Sequence, residues 1–167
     1  ATLFEGLVGT SGDYNNITNN NFTNNYISAG SNFMVTVING ILGTNGRGNH
    51  FSENLIKNNI ITRNNGEVYV SGLIGNNYGE YNSFSSTQII NNSVNIDESL
   101  NGLLRICGNS SVDSFVIANN TIIVKDIDDG GMIAADYSNC EYSNISIYGN
   151  SLTATSSIRG GAIIGSE

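Results

Sequence analysis

The sequence predicts an all-β chain wound into one parallel β-helix. This β-solenoid takes in residues 1–167, with about 30 residues per coil, five coils and part of a sixth, in a right-handed sense. Three observations lead there: a Gly-apolar-apolar signal recurs at a near-constant period, apolar columns keep register with it, and composition disfavours the other classes. A chain of 167 residues that is 39% hydrophobic can bury a continuous core, so it is not a disordered polar tract. Only 12% of residues are charged, while 29 are Asn, 22 are Ile, 20 are Gly and none is Pro or Trp, a balance that suits β structure over helical bundles.

The repeat is found before any strand is assigned, because a fixed period decides the fold. It runs Gly6-Leu7-Val8-Gly9, Gly40-Ile41-Leu42-Gly43, Gly72-Leu73-Ile74-Gly75, Gly102-Leu103-Leu104, Gly131-Met132-Ile133 and Gly161-Ala162-Ile163-Ile164-Gly165. The spacings are 34, 32, 30, 29 and 30 residues. Each such segment opens a unit as a short strand with Gly at a corner or a close backbone approach. A second column, Asn25, Asn59, Asn92, Asn120 and Asn150, marks a later point in each unit. Eight residues before it stand Ile17, Phe51, Phe84, Val112 and Tyr142; three before it, Phe22, Ile56, Ile89, Ile117 and Ile147; two after it, Ile27, Ile61, Val94, Ile122 and Leu152. Each column predicts a short half-buried strand. Such a unit cannot bury its apolar face alone, so units must stack about 4.8 Å apart, strand on equivalent strand. The Asn column then becomes a structural ladder at a corner, each side chain bonding to the next, on a residue that tolerates left-handed backbone.

The strings GLVG, GILG and GLIG, about 30 residues apart and followed by Asn- and Ser-rich turns, resemble the GLUG repeat of bacterial surface and secreted proteins. The fourth and fifth units depart from it, with Arg105 and Ala135 near the place of the closing Gly. The resemblance implies a β-solenoid in an extracellular or cell-surface protein, an adhesin-like or spacer role, and no inherited catalytic residue.

A net charge of -8 leaves no cationic surface for phosphates, so nucleic acid and anionic membrane are poor partners. No apolar stretch reaches the roughly 18 residues of a membrane span. No cofactor is implied. Asp126, Asp128 and Asp129 before Gly130-Gly131 are calcium candidates, hard oxygen ligands on a Gly-ended loop, but a solvated acidic turn is the simpler reading. Asp97 and Glu98 fall in the same region one unit earlier, where stacked carboxylates repel unless a cation screens them. The column Thr18, Ser52, Ser85, Asp113 and Ser143 suits backbone-satisfying hydroxyls better than an ice- or crystal-binding array. His50, the single His, has no catalytic motif beside it, and the six basic residues are scattered through the repeat. Cys107 and Cys140 fall in different columns, about 10 Å apart along a strand, and read as two buried thiols.

The variable segment after each Gly-apolar-apolar strand carries Tyr14, His50, Tyr78, Tyr81 and Tyr137, and solenoid edges of this kind are where binding is placed. Tyr14, Tyr78, Tyr81 and Tyr137 are the candidate binding residues, for a glycan or host surface; covering a core corner is the plainer role. The predicted function is a non-catalytic repeat module, acting as adhesin-like surface, rigid spacer or filament subunit, with a polysaccharide-processing or tailspike-like β-helix as the alternative. Both ends of the stack are expected to offer open strand edges, so flanking coils or a second copy bound head to tail are the expected partners.

Overall fold

A computed structural model describes residues 2–4, 7–10, 12–29, 35–38, 40–63, 67–76, 79–128, 130–136 and 139–166. All regular structure among them is strand, every paired strand lies parallel to its neighbours, and no helix is long and apolar enough to cross a membrane. The chain is a parallel β-solenoid of roughly 30-residue coils, with four sheets running along the stack.

The glycine sheet stacks six strands: Val8–Thr10, Leu42–Thr44, Ile74–Asn76, Leu104–Cys107, Ile133–Asp136 and Ile164–Ser166. The second sheet stacks five: Asn16–Thr18, His50–Ser52, Ser83–Ser85, Ser111–Asp113 and Glu141–Ser143. The third holds Asn21–Thr23, Leu55–Lys57, Gln88–Ile90, Val116–Ala118 and Ser146–Tyr148. The fourth has two runs. Tyr26–Ala29, Ile60–Arg63 and Ser93–Asn95 stack into the near part of Thr121–Ile127 and Ser151–Ile158, while Thr2–Phe4, Val35–Ile38, Glu67–Val70 and Ser99–Leu100 lead into their far part. A register shift between Val124 and Asp126 divides the two runs.

From the second sheet to the fourth the chain advances in five-residue steps: three strand residues, one left-handed residue, one corner residue. Only the middle strand residue points inward, which yields the buried columns Phe51–Phe84–Val112, Ile56–Ile89–Ile117 and Ile61–Val94–Ile122. Phe51 and Phe84 stack with ring centroids 4.9 Å apart and planes 7° from parallel. Ile17, Phe22 and Ile27 at one end, and Ile147 and Leu152 at the other, are only partly covered because each has a neighbour on one side alone.

All fifteen left-handed residues of these steps have φ between 47° and 74°. They sit immediately before the corner residue, so the ladder Asn is not the strained one. Asn24, Asn58, Asn91, Asn119 and Gly149 take the left-handed backbone, which frees Asn25, Asn59, Asn92, Asn120 and Asn150 to bond from coil to coil. In the glycine sheet the register sets Gly43, Gly75, Arg105, Ala134 and Gly165 in one column, so Ala134 rather than Ala135 replaces the closing Gly. The last glycine signal is displaced by one residue, with Gly161 bridged to Gly130 and Ala162 over Gly131. A Cβ on Gly131 would stand 2.0 Å from the Ala162 carbonyl oxygen, and one on Gly40 2.2 Å from that of Gly72, which is why this corner admits only glycine there.

Candidate functional site

Three consecutive coils enter the second sheet through one local sequence: Gly12-Asp13-Tyr14-Asn15, Gly46-Arg47-Gly48-Asn49 and Gly79-Glu80-Tyr81-Asn82. The leading glycines stack so closely that a Cβ on Gly46 would lie 2.0 Å from the Gly12 carbonyl oxygen, and one on Gly79 1.9 Å from that of Gly46. The asparagines close the corner. Asn15 donates through its N–H (2.8 Å) and Nδ2 (3.0 Å) to Asn49 Oδ1, Asn49 N–H donates to Asn82 Oδ1 at 2.7 Å, and Asn82 N–H donates to Ser110 Oγ. Between glycine and asparagine lies a charge-alternating column, Asp13, Arg47 and Glu80, in which the Arg47 N–H donates to Asp13 Oδ1 at 2.8 Å. Beside it runs the column Tyr14, Gly48 and Tyr81, all left-handed, with φ of 60°, 66° and 60°. Tyr14 is 76% exposed and Tyr81 59%. Tyr78 and Tyr137, the other two candidate binding residues, lie outside the described residues.

The Asn column found in sequence runs without a break. Asn25 N–H and Nδ2 donate to Asn59 Oδ1, Asn59 to Asn92, Asn92 to Asn120 and Asn120 to Asn150, all at 2.8–3.0 Å. The Nδ2 groups of Asn59, Asn92, Asn120 and Asn150 also donate to a backbone carbonyl of the preceding coil, that of Asn92 to Ile56 at 2.9 Å. Two parallel corner ladders were missed by sequence reading. One is Asn15–Asn49–Asn82–Ser110; the other is Asn20–Asn54–Thr87, after which Phe115 and Ile145 take the corner. The five-residue spacing of Ile17, Phe22 and Ile27, repeated in each unit, was the signal that could have located them.

The acidic candidates are drawn to neighbouring coils rather than to one another. Asp126 accepts from Ser157 N–H at 3.0 Å and Ser157 Oγ at 2.5 Å, and this hydroxyl holds its carboxyl below the usual carboxylate range. Asp128 lies 4.0 Å from Arg159. Asp129 lies outside the described residues. Asp97 pairs with Arg63 and Glu98 with Lys125 at 3.1 Å, and the register sets Ser99 opposite Asp126, so the expected stack of carboxylates does not form among the described residues. The bond to Glu98 raises the Lys125 pKa. Among the described residues no group of three His, Cys, Asp or Glu side chains is placed to hold a metal.

Asp113 accepts from Ser143 Oγ at 2.5 Å, Asn144 Nδ2 at 2.9 Å and Ser114 Oγ at 2.9 Å, and these bonds, that to Ser143 foremost, lower its pKa. His50 Nδ1 lies 2.7 Å from Ser83 Oγ in the next strand of the second sheet. Among the described residues no carboxylate bonds its other nitrogen, so the pair ties two coils together without forming a relay. The Cys107 strand residue is opposite Asp136, while Cys140 precedes Glu141, the partner of Ser111, so the two cysteines occupy different columns. Cys140 packs half-buried against the core, and the Cys107 side chain is outside the description. Two shallow hollows lie among the described residues. One of about 350 Å³ lies where the fourth sheet divides, lined by Asp97, Ile123 and Lys125; one of about 240 Å³ lies at the open end, lined by Ile147, Leu152 and Ile163. No family model, curated protein or solved structure matches the chain.

Proposed function

We propose that the chain is a non-catalytic module of a secreted or cell-surface protein, a rigid stack that carries an adhesive surface. The observation that carries this reading is the unbroken ladder from Asn25 to Asn150, which joins every coil it crosses by paired hydrogen bonds. It spans four coil steps, about 19 Å at the usual strand spacing. Its neighbours at the other corners and the ion pairs Arg63–Asp97, Lys125–Glu98 and Arg159–Asp128 repeat the same design, in which polar side chains serve the next coil. The GLUG resemblance supports an extracellular setting for such a stack.

A polysaccharide-processing enzyme would need an acid and a base converging on one bond. Here Asp113 and Asp126 are instead saturated by serine hydroxyls, which favours the non-catalytic reading. The test is incubation with neutral and acidic polysaccharides and measurement of new reducing ends or unsaturated products. None is expected; turnover abolished by Asp113→Asn or Asp126→Asn would establish an enzyme.

Exposed apolar residues at both ends, Leu7 and Val8 at one and Ile163 and Ile164 at the other, favour contact with further coils or a second copy. Among the described residues the glycine sheet and the far run of the fourth sheet hold six strands, and the second and third sheets and the near run hold five. A copy of these 167 residues stacked head to tail would leave three strand layers empty at each junction, which disfavours end-to-end growth of the isolated segment.

A further inference from the structure

The geometry points to a binding track for an extended, neutral β-1,4-linked glycan along the Tyr14–Gly48–Tyr81 column, with alternate sugar rings stacked on Tyr14 and Tyr81. This rests on the adhesive reading and names its ligand class.

Folding alone does not account for these tyrosines. Of the thirteen non-glycine residues with positive φ among the described residues, eight are Asn, which suits left-handed backbone, whereas a bulky aromatic there is strained. Two strained aromatics in one register, both largely exposed, mark a place where something other than stability selects the side chain. Gly48 between them supports this. A Cβ on Gly48 would stand 2.6 Å from both Cδ1 and Cε1 of Tyr14, so the ring lies against bare glycine backbone and is held there, with the rest of it open to solvent.

The spacing selects the ligand. The backbone positions that carry Tyr14 and Tyr81 are two coil steps apart, about 9.6 Å. In an extended β-1,4-linked chain each ring is flipped relative to its neighbours, so alternate sugars present the same apolar face at a repeat close to two coil steps. An α-1,4-linked chain curls and does not keep that repeat. Stacking of an apolar sugar face on an exposed phenol ring uses the same surface that aromatic pairs use. Asp13, Arg47 and Glu80, stacked beside the tyrosines, offer partners for the equatorial hydroxyls. Their balance of two acids to one base, with the net charge of -8, disfavours anionic sugars.

The experiment titrates the chain with cellohexaose and with chitohexaose, using maltohexaose as control, by calorimetry and by tyrosine emission, which no Trp obscures. A β-1,4-linked hexasaccharide should bind at least tenfold more tightly than maltohexaose, and more tightly than its own disaccharide, which reaches one ring only. Tyr14→Asn and Tyr81→Asn should each weaken binding about tenfold while raising the melting temperature, because Asn suits the left-handed position. A purely structural tyrosine would not give that opposition. Equal binding of maltohexaose, or β-1,4 binding untouched by both substitutions, overturns the track and leaves the adhesive reading standing. Absence of binding by all three sugars overturns the track as well. Cleavage of an oligosaccharide overturns the non-catalytic reading itself.

Discussion

Asn92 shows how one residue type carries the stack. Its Oδ1 accepts from the N–H and Nδ2 of Asn59, and its Nδ2 donates to Ile56 O and Asn120 Oδ1, so all four side-chain hydrogen-bonding sites are used in a buried position. Asn92→Ala leaves the Asn59 backbone N–H without its acceptor away from water. It should cost about 2–4 kcal/mol in chemical denaturation. A loss below about 0.5 kcal/mol would mean that water reaches the corner. Ile89 fails differently: it is wholly buried between Ile56 and Ile117, and Ile89→Ala should cost about 2–5 kcal/mol through lost packing and a cavity. The lone His and the acidic residues Asp126 and Asp128, which invite a catalytic or metal reading, are each met by a partner one coil away.

The five-residue step of strand, left-handed residue and corner is the element from which the coil is made. Its strain falls on the left-handed residue, so the identity of that residue is where stability can be gained. Glu53 has φ 56° and lies exposed at the second corner, where Asn19 and Asn144 occupy equivalent places. Glu53→Asn should stabilise the chain by about 0.5–1 kcal/mol, read from the denaturation midpoint. A destabilisation would show that the Glu53 side chain does something for the fold that the geometry does not reveal. The same argument separates Tyr14 and Tyr81 from the rest, since they hold this position at a cost Asn would not incur.

For the molecule as a whole, pH dependence follows from groups that tie coils together. Asp113 and Asp126 have lowered pKa values, so their contribution is present above the unfolded value near 3.9 and is lost as pH falls through the folded one. Lys125 and Tyr142 are raised, the first by its bond to Glu98, the second to about 12 chiefly by burial. Their contributions are complete below the unfolded values near 10 and are lost as pH rises through the folded ones. Melting temperature against pH should be flat from about 5 to 9 and fall on both sides. Asp113→Asn with Asp126→Asn should flatten the acid limb; an unchanged limb would assign it to other carboxylates. At the same scale, the missing strand layers predict that the isolated chain forms no propagating filament by sedimentation or negative-stain microscopy. Long filaments abolished by Ile163→Lys would restore the copy-on-copy reading.

The coil period, the parallel stack, the inward columns and one Asn ladder were legible in residue order, because a solenoid repeats its sequence whenever it repeats its contacts. Ile56, Ile89 and Ile117 lie at one place in three units and meet in one ladder. Other features belong to three dimensions. The left-handed burden falls on Asn91 rather than Asn92, and two adjacent Asn residues look alike until one backbone turns. The second and third ladders change residue type midway, from Asn82 to Ser110 and from Asn54 to Thr87, so identity alone hid them. The pairs Arg63–Asp97 and Lys125–Glu98 cross between coils whose lengths differ by a few residues, and only register decides which charges meet. The tyrosine track is of this kind: Tyr14 and Tyr81 are 67 positions apart in the chain, and the stacking of coils makes them neighbours two steps apart on one edge.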